Sequence, residues 1–409
     1  MPKPRPRVSR SESLTRRRFL ANSLCAATVA QLPSALSLIG APVAADQKFR
    51  AAIIGDTGHG DYGHEHELIF TDRENITVVA LADPYPAGRA KAAKRAKALR
   101  QYADYREMLE KEKPQLVSIA PRWTDQHHAM ALAALRIGAH VYLEKPITQT
   151  LAEADEMLAI AQQNGTKIVV AHQMRLAPNI LLLKKYLDDG GLGELLEIRS
   201  QGKQDHRAGG EDMIVLGVHI FDLMRFFAGE PAWCSARVLQ NGHEITLPDA
   251  RAVTENIGPV AGDEIFAQFA FAQGVNARFT SRANNRETSG PMGLELVGSK
   301  GTIKVLLSIM PTIWERKSGA WTKQGQVNEW LPWKGDPTLT FSEAEKSVAA
   351  ANRRVVDDWL AAIAENREPV CSGNAGMKAL EMAMAVFAAG LSRERVYFPL
   401  KERKHPLRA

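Results

Sequence analysis

Cysteine is scarce. Cys25, Cys234 and Cys371 are the only three in 409 residues. No Cys/His spacing resembles a zinc site, so no metal is expected. Net charge is missing from the body of the chain. Residues 1–45 hold seven basic residues, Lys3, Arg5, Arg7, Arg10, Arg16, Arg17 and Arg18, against the single acid Glu12, a surplus of +6. The whole chain is also +6, so residues 46–409 sum to zero. A neutral body gives no electrostatic case for nucleic acid or an anionic membrane as partner. Beyond the N-terminal segment no apolar run approaches the ~20 residues of a bilayer span. Internal repeats are absent as well.

The N-terminal segment reads as a targeting signal. Thr15-Arg16-Arg17-Arg18-Phe19-Leu20 fits the twin-arginine pattern, and an apolar stretch from Leu24 to Ile39 follows. Pro33 and several polar residues make that stretch a poor span, and Val43-Ala44-Ala45 offers small residues for cleavage. Residues 1–45 are expected to be removed on export by the twin-arginine machinery, leaving a periplasmic or otherwise exported protein with no membrane segment. Of its cysteines only Cys234 and Cys371 then remain, and sequence cannot show whether they meet.

From residue 49 short apolar runs alternate with helical stretches. Runs at 51–54, 76–82, 116–120, 140–143 and 168–171 read as strands, and 87–99, 125–136 and 151–163 as helices. That rhythm predicts a doubly wound parallel sheet over 46–172. Near residue 173 the pattern changes. A helix over 179–188 is followed by strand-like runs at 195–201, 233–239, 265–271, 275–281, 294–297 and 302–306, with Gln273-Gly274 as a hairpin turn. Two helices, 343–365 and 375–391, close the chain. Residues 173–409 are therefore expected to form an α+β domain on a large, mostly antiparallel sheet, with 315–340 as a long surface loop.

Strand edges carry the chemistry. A Gly-x-Gly-x-x-Gly turn between strand and helix cradles a dinucleotide. Here Gly55 and Gly60 hold the outer positions and Thr57 the middle one, with Gly58 and His59 alongside. A helix starting near His64 and His66, both read as solvated or capping, would aim its N-terminus at the pyrophosphate. Asp83 ends the second strand, where a carboxylate accepts from ribose hydroxyls and repels a 2′-phosphate. NAD is thus favoured, with Arg89 and Lys91 leaving NADP open. Val141-Tyr142-Leu143-Glu144-Lys145-Pro146 places a lysine at the carboxyl edge of the sheet, where open α/β sheets bind ligands. His219 lies in an apolar stretch whose periodicity alone reads as core.

The turn at 55–60, Ala82-Asp83-Pro84, Ala120-Pro121 with His127, Glu144-Lys145-Pro146, Gln173-Met174-Arg175, Gly209-Gly210 leading to Gly217-Val218-His219, Gly298-Ser299-Lys300-Gly301-Thr302 and Tyr397-Phe398-Pro399-Leu400 together resemble the Gfo/Idh/MocA oxidoreductase family. The resemblance implies a Rossmann domain binding NAD(P) through Gly55, Thr57, Gly58, His59, Gly60, Asp83, Pro121, His127, Glu144 and Lys145. It gives Lys145 contact with the substrate hydroxyl and the cofactor ribose, and makes His219 the acid/base. The family places an aspartate four residues before that histidine. Val215 stands there instead, and Asp212, seven residues before His219 and on the same face of a regular helix, is the expected substitute catalyst. Gln173, Arg175, His206 and Arg207 are expected around a carbohydrate substrate, with a domain brace or a solvated loop as alternatives. Export suits a cofactor that does not dissociate, because free NAD is scarce outside the cytoplasm. The implied activity is hydride transfer on a sugar or polyol. A redox-neutral glycosidase or lyase and a non-catalytic binding protein stand as alternatives. A homo-dimer or tetramer through the open face of the large sheet is expected by resemblance.

Overall fold

A computed structural model describes residues 48–283, 290, 292–317, 328–336 and 340–408. Residues 1–45, expected to be a targeting signal, lie outside them with Cys25. Strands β1 (Phe49–Ile54), β2 (Ile76–Ala82), β3 (Arg100–Tyr102), β4 (Leu116–Ile119), β5 (His140–Leu143) and β6 (Ile168–Val170) form one parallel sheet in the order β3-β2-β1-β4-β5-β6. That is the doubly wound order with its switch point between β1 and β4. Every residue of β4 is buried, as expected of a central parallel strand covered on both faces. Helices α1 (Pro86–Ala96), α2 (Tyr105–Glu112), α3 (His127–Arg136) and α4 (Leu151–Gln163) connect the strands. A Thr150/Glu153 capping box starts α4.

The helix expected after β1 does not form. Gly58, Gly60, Asp61, His64 and Glu65 all have positive φ, and only a 3₁₀ turn, Gly63–Leu68, follows. A right-handed helix cannot run through left-handed residues. The sheet face left open is covered from far along the chain by a helix introduced below.

The second domain begins with α5 (Pro178–Asp188) and β7 (Leu195–Gln201). A short helical turn, Gly210–Asp212, passes through a π-turn, Met213–Gly217, into α6 (Val218–Ala228). The sheet adds β8 (Pro231–Gln240), β9 (His243–Glu244), β10 (Glu264–Phe271), β11 (Asn276–Arg282), β12 (Gly293–Gly298), β13 (Gly301–Leu306), β14 (Thr312–Arg316), β15 (Leu331–Pro332) and β16 (Val396–Tyr397). Its order is β15-β14-β13-β12-β7-β11-β10-β8-β16, with β9 on β8. All pairs are antiparallel except β7–β11. Burial alternates along β10, so one face is packed and one is open. Part of the stretch 315–340, expected as a surface loop, instead extends the edge of this sheet through β14 and β15. There Trp330 lies between the cations of Lys304 and Arg316.

Two closing helices, α7 (Val348–Ala364) and α8 (Gly373–Ser392), bind the domains together. Trp359, Val355, Val356 and Leu360 of α7 share a core with Phe49, Ile53 and Phe70 on the face that lacks its helix. Helix α8 is long and apolar enough to cross a membrane by length and composition, yet 78% of that stretch is buried inside the protein. It is a core helix packed against β8 and α6. Cys234 and Cys371 are both buried and unpaired.

Candidate active site

Lys145 follows β5 at the carboxyl edge of the parallel sheet and is only 4% exposed. Its Nζ donates to the Val215 carbonyl at 3.1 Å. Val215 sits in the π-turn one turn before His219, so the nucleotide domain's lysine and the second domain's histidine converge across the seam. Glu144 is fully buried, its Oε2 accepts the Lys145 backbone N–H at 2.6 Å, and its Oε1 pairs with Nδ1 of His64. Burial alone would raise this carboxyl. His64 and Lys145 outweigh that and hold it well below the ordinary carboxylate value. The Lys145–Pro146 bond is cis.

His219 makes no protein hydrogen bond through Nδ1, which is sealed from solvent. Burial first, then the neighbouring His172 and Lys145, push its pKa well down, so the ring is neutral at neutral pH. A neutral imidazole beside an ammonium group suits proton acceptance from a hydroxyl. His66, expected to be solvated or capping, is fully buried edge-on to Tyr142, and burial lowers its pKa to about 4.

The dinucleotide end differs from expectation. A cavity of about 190 Å³ lies at the carboxyl ends of β1 and β2, lined among others by Gly55, Asp56, Asp83, Tyr105 and Gln126. Without a helix after β1 there is no helix N-terminus for a pyrophosphate, so only the turn's own backbone is available. Gly60 is forced there: at φ +92° a Cβ would lie 2.6 Å from the Trp123 nitrogen. Gly55 leaves room for the ring of Tyr62. The Tyr62 hydroxyl (2.9 Å), the Thr57 hydroxyl (2.6 Å) and the Thr57 amide (3.2 Å) all donate to Asp83 Oδ2. A ribose must therefore compete with Thr57 and Tyr62 for this carboxylate. Two of those three donors are rotatable hydroxyls, and Asp83 itself lines the cavity, so the carboxylate could exchange them for ribose hydroxyls. His59 pairs with Asp125 at 2.9 Å and packs on Trp123.

Several expected ligands are otherwise engaged. His127 is a buried brace, its ring nitrogens 2.7 and 3.0 Å from the carbonyl oxygens of Pro121 and Pro146. Arg175 forks onto Asp222 and lies over Phe226, which makes it the domain brace rather than a free substrate ligand. Gln173 donates to Asn352 of α7 at 2.9 Å. The side chain of His206 is 84% exposed, as a solvated loop would have it, whereas that of Arg207 is only 16% exposed and is paired with Asp205 and Glu255. Asp212 is not brought to His219. It accepts from the Lys203 and Gln204 amides and from the Ser281 hydroxyl at 3.2, 3.1 and 2.6 Å. The π-turn between them adds about one residue per turn, rotating Asp212 by roughly 100° off the face that a regular helix would share. Sequence reasoning misses Tyr62, His172 and Asn352. His172 is within its reach, because it leaves β6 at the same sheet edge as Lys145.

Comparison with known proteins agrees with this architecture. Residues 49–172 match the GFO/IDH/MocA oxidoreductase family, NAD-binding Rossmann fold, and residues 184–397 match that family's C-terminal alpha/beta domain. The D-apiose dehydrogenase of Paraburkholderia graminis is 25% identical over 91% of this chain and 96% of its own length. The levoglucosan dehydrogenase of Pseudarthrobacter phenanthrenivorans is 27% identical over 61% of this chain and 72% of its own. The inositol 2-dehydrogenase of Rhizobium meliloti is 24% identical over 84% and 98%. A solved levoglucosan dehydrogenase in complex with NADH and levoglucosan superposes with a TM-score of 0.67 at 21% identity, covering 86% of this chain and all of that one.

Proposed function

The chain belongs to the Gfo/Idh/MocA oxidoreductase family, and from that premise we propose that it is an NAD-dependent dehydrogenase that oxidises a hydroxyl of a sugar or polyol between Lys145 and His219. The observation that carries this reading is the convergence of Lys145 and the His219 helix at the carboxyl edge of the nucleotide sheet. Relatives named as levoglucosan, D-apiose and inositol dehydrogenases support the carbohydrate class. The turn 55–60 and Asp83 would hold the nucleotide, and Asp83 favours NAD over a 2′-phosphorylated form.

When bound, the nicotinamide supplies the hydride acceptor. The Lys145 ammonium polarises the substrate hydroxyl and stabilises the alkoxide that develops on it. Neutral His219 takes the hydroxyl proton. Glu144, paired with His64, offsets the charge of Lys145 within the buried cluster.

We further infer that the protein is exported and keeps its nucleotide. The twin-arginine segment supports this, since that route carries folded, loaded proteins. The test is to purify the protein by native export, denature it and identify the released nucleotide. NAD is expected, and release of neither NAD nor NADP from the folded, exported protein would defeat the reading. Adding a panel of sugars and polyols should then cycle the reduced-nicotinamide absorbance. Export also favours a second reading, a redox-neutral glycosidase or lyase, because the cofactor would be restored in place. That reading requires solvent deuterium in the product beside the transiently oxidised carbon.

A further inference from the structure

His172 has no part in the reaction as described, yet it lies enclosed beside His219. Asp222, three residues after His219 on α6, is clamped by Arg175: Nε donates to Oδ2 at 2.9 Å and Nη2 to Oδ1 at 2.6 Å. Oδ1 also faces Nδ1 of His172 at 3.4 Å. A carboxylate held between a guanidinium and an imidazole stays ionised: burial would raise it, but Arg175 and His172 lower it. An ionised carboxylate only accepts, so the ring nitrogen of His172 that faces it is the N–H, and in the neutral ring the lone pair falls on Nε2. That Nε2 is sealed from solvent and has no hydrogen-bond partner. The same holds for Nδ1 of His219, and the two rings meet edge to face with centroids 5.3 Å apart. Buried polar atoms are nearly always paired, so two orphan nitrogens on touching imidazoles call for an explanation.

We propose that His172, set by Asp222, is the positioning residue of His219, and that this pair stands in for the carboxylate that Val215 cannot supply. A bare Nε2 on His172 selects the His219 tautomer that carries its proton on Nδ1. The lone pair of His219 Nε2 is then left for the substrate hydroxyl. The order of groups is Asp222, His172, His219, substrate, which is how a carboxylate fixes a catalytic imidazole at one remove. The charged and titratable groups around the pair are Lys145 and Glu144 after β5, His64 in the turn after β1, Asp222 on α6, Arg175 after β6, and Cys371 before α8, whose Sγ lies 3.4 Å from the His172 carbonyl.

The activity arm of the test rests on the dehydrogenase reading, while the spectroscopic arm does not. Long-range proton–nitrogen spectra of the full chain labelled with ¹⁵N-histidine should show His172 protonated at Nδ1 and bare at Nε2, and His219 protonated at Nδ1, at neutral pH. His172→Asn should abolish the single His219 tautomer and shift the midpoint of its titration, because the lone pair that fixes the ring is gone. With a sugar that is turned over, the same variant should lose about 10- to 100-fold in kcat/KM and shift its pH profile, consistent with weakened acid/base work. NADH binding followed by fluorescence should stay within about twofold, since uniform binding is untouched. The proposal is overturned if wild-type His172 carries its proton on Nε2, a result that needs no variant to fold. It is equally overturned if His219 keeps its tautomer and midpoint in His172→Asn. A wild-type protein that turns over no sugar would count against the dehydrogenase reading and leave the spectroscopic result to decide this one.

Discussion

At the scale of single residues, the site concentrates ionisable groups where water cannot screen them. Glu144, Lys145, His172, His219 and Asp222 are each less than a tenth exposed. Lys145→Ala or His219→Ala is expected to lower the hydride-transfer rate by about 10²–10⁴-fold, the usual worth of a positioned acid or base. Stopped-flow absorbance of the reduced nicotinamide would measure it, and a change under tenfold would remove that residue from the mechanism. His66 sets a pH dependence. Its folded pKa of about 4 lies below the ordinary imidazole value, so the unfolded chain takes up its proton first as the medium is acidified. Its contribution to stability is whole above about pH 6.5 and is lost as pH falls through about 4. Urea unfolding at pH 7 and pH 4.5 should show a smaller difference for His66→Leu than for the wild type. The residue types are legible in sequence: Lys145, His219 and Asp83 announce themselves at strand ends and in motif. Their partners are not. The Tyr62 bond to Asp83 and the His64 pair with Glu144 depend on a turn whose left-handed residues no periodicity reveals.

At the scale of elements, most strands and helices, though not β3, α2 or α6, follow the hydrophobic pattern, because a buried parallel strand and an amphipathic helix each need only local sequence. Two irregular pieces do not. The 3₁₀ turn after β1 replaces an expected helix, and the π-turn at Met213–Gly217 breaks the spacing from which Asp212 reads as a catalyst. Asp212 instead pins the chain at 202–204 to Ser281. Asp212→Ala leaves two amides and a hydroxyl unpaired and is expected to cost about 1–3 kcal/mol of stability. Turnover per folded molecule should fall less than tenfold. A large loss of kcat at unchanged melting temperature would return Asp212 to the reaction. The glycine pair before it serves packing. Gly209 accommodates φ +91°, and a Cβ on Gly210 would lie 2.3 Å from the Ala261 carbonyl oxygen.

At the scale of the whole molecule, the two domains share apolar cores as well as the polar seam at Lys145 and His219. Trp359 of α7 is fully buried against Phe70 and Tyr142 of the nucleotide domain. Trp359→Ala is expected to cost about 3–5 kcal/mol, as large-to-small changes in a closed core do. Calorimetry should show one transition moving down, and separate melting of two halves would mean the domains are less coupled than this packing implies. Asn352, on the same helix, takes hydrogen bonds from Tyr142 and Gln173 and gives one to the His64 carbonyl. Sequence could not announce this, because nearly 300 residues separate α7 from the strand it covers.

That long-range cover bears on how the protein comes into being. A nascent chain that has emerged only as far as β6 lacks the α7 side chains that complete the core around Phe49, Ile53 and Phe70, and Ala92, Ala93 and Ala96 of α1 cover that face only in part. The nucleotide half must therefore wait, sticky and incomplete, until translation reaches α7. A fragment cut after residue 172 should aggregate where the intact polypeptide stays dispersed.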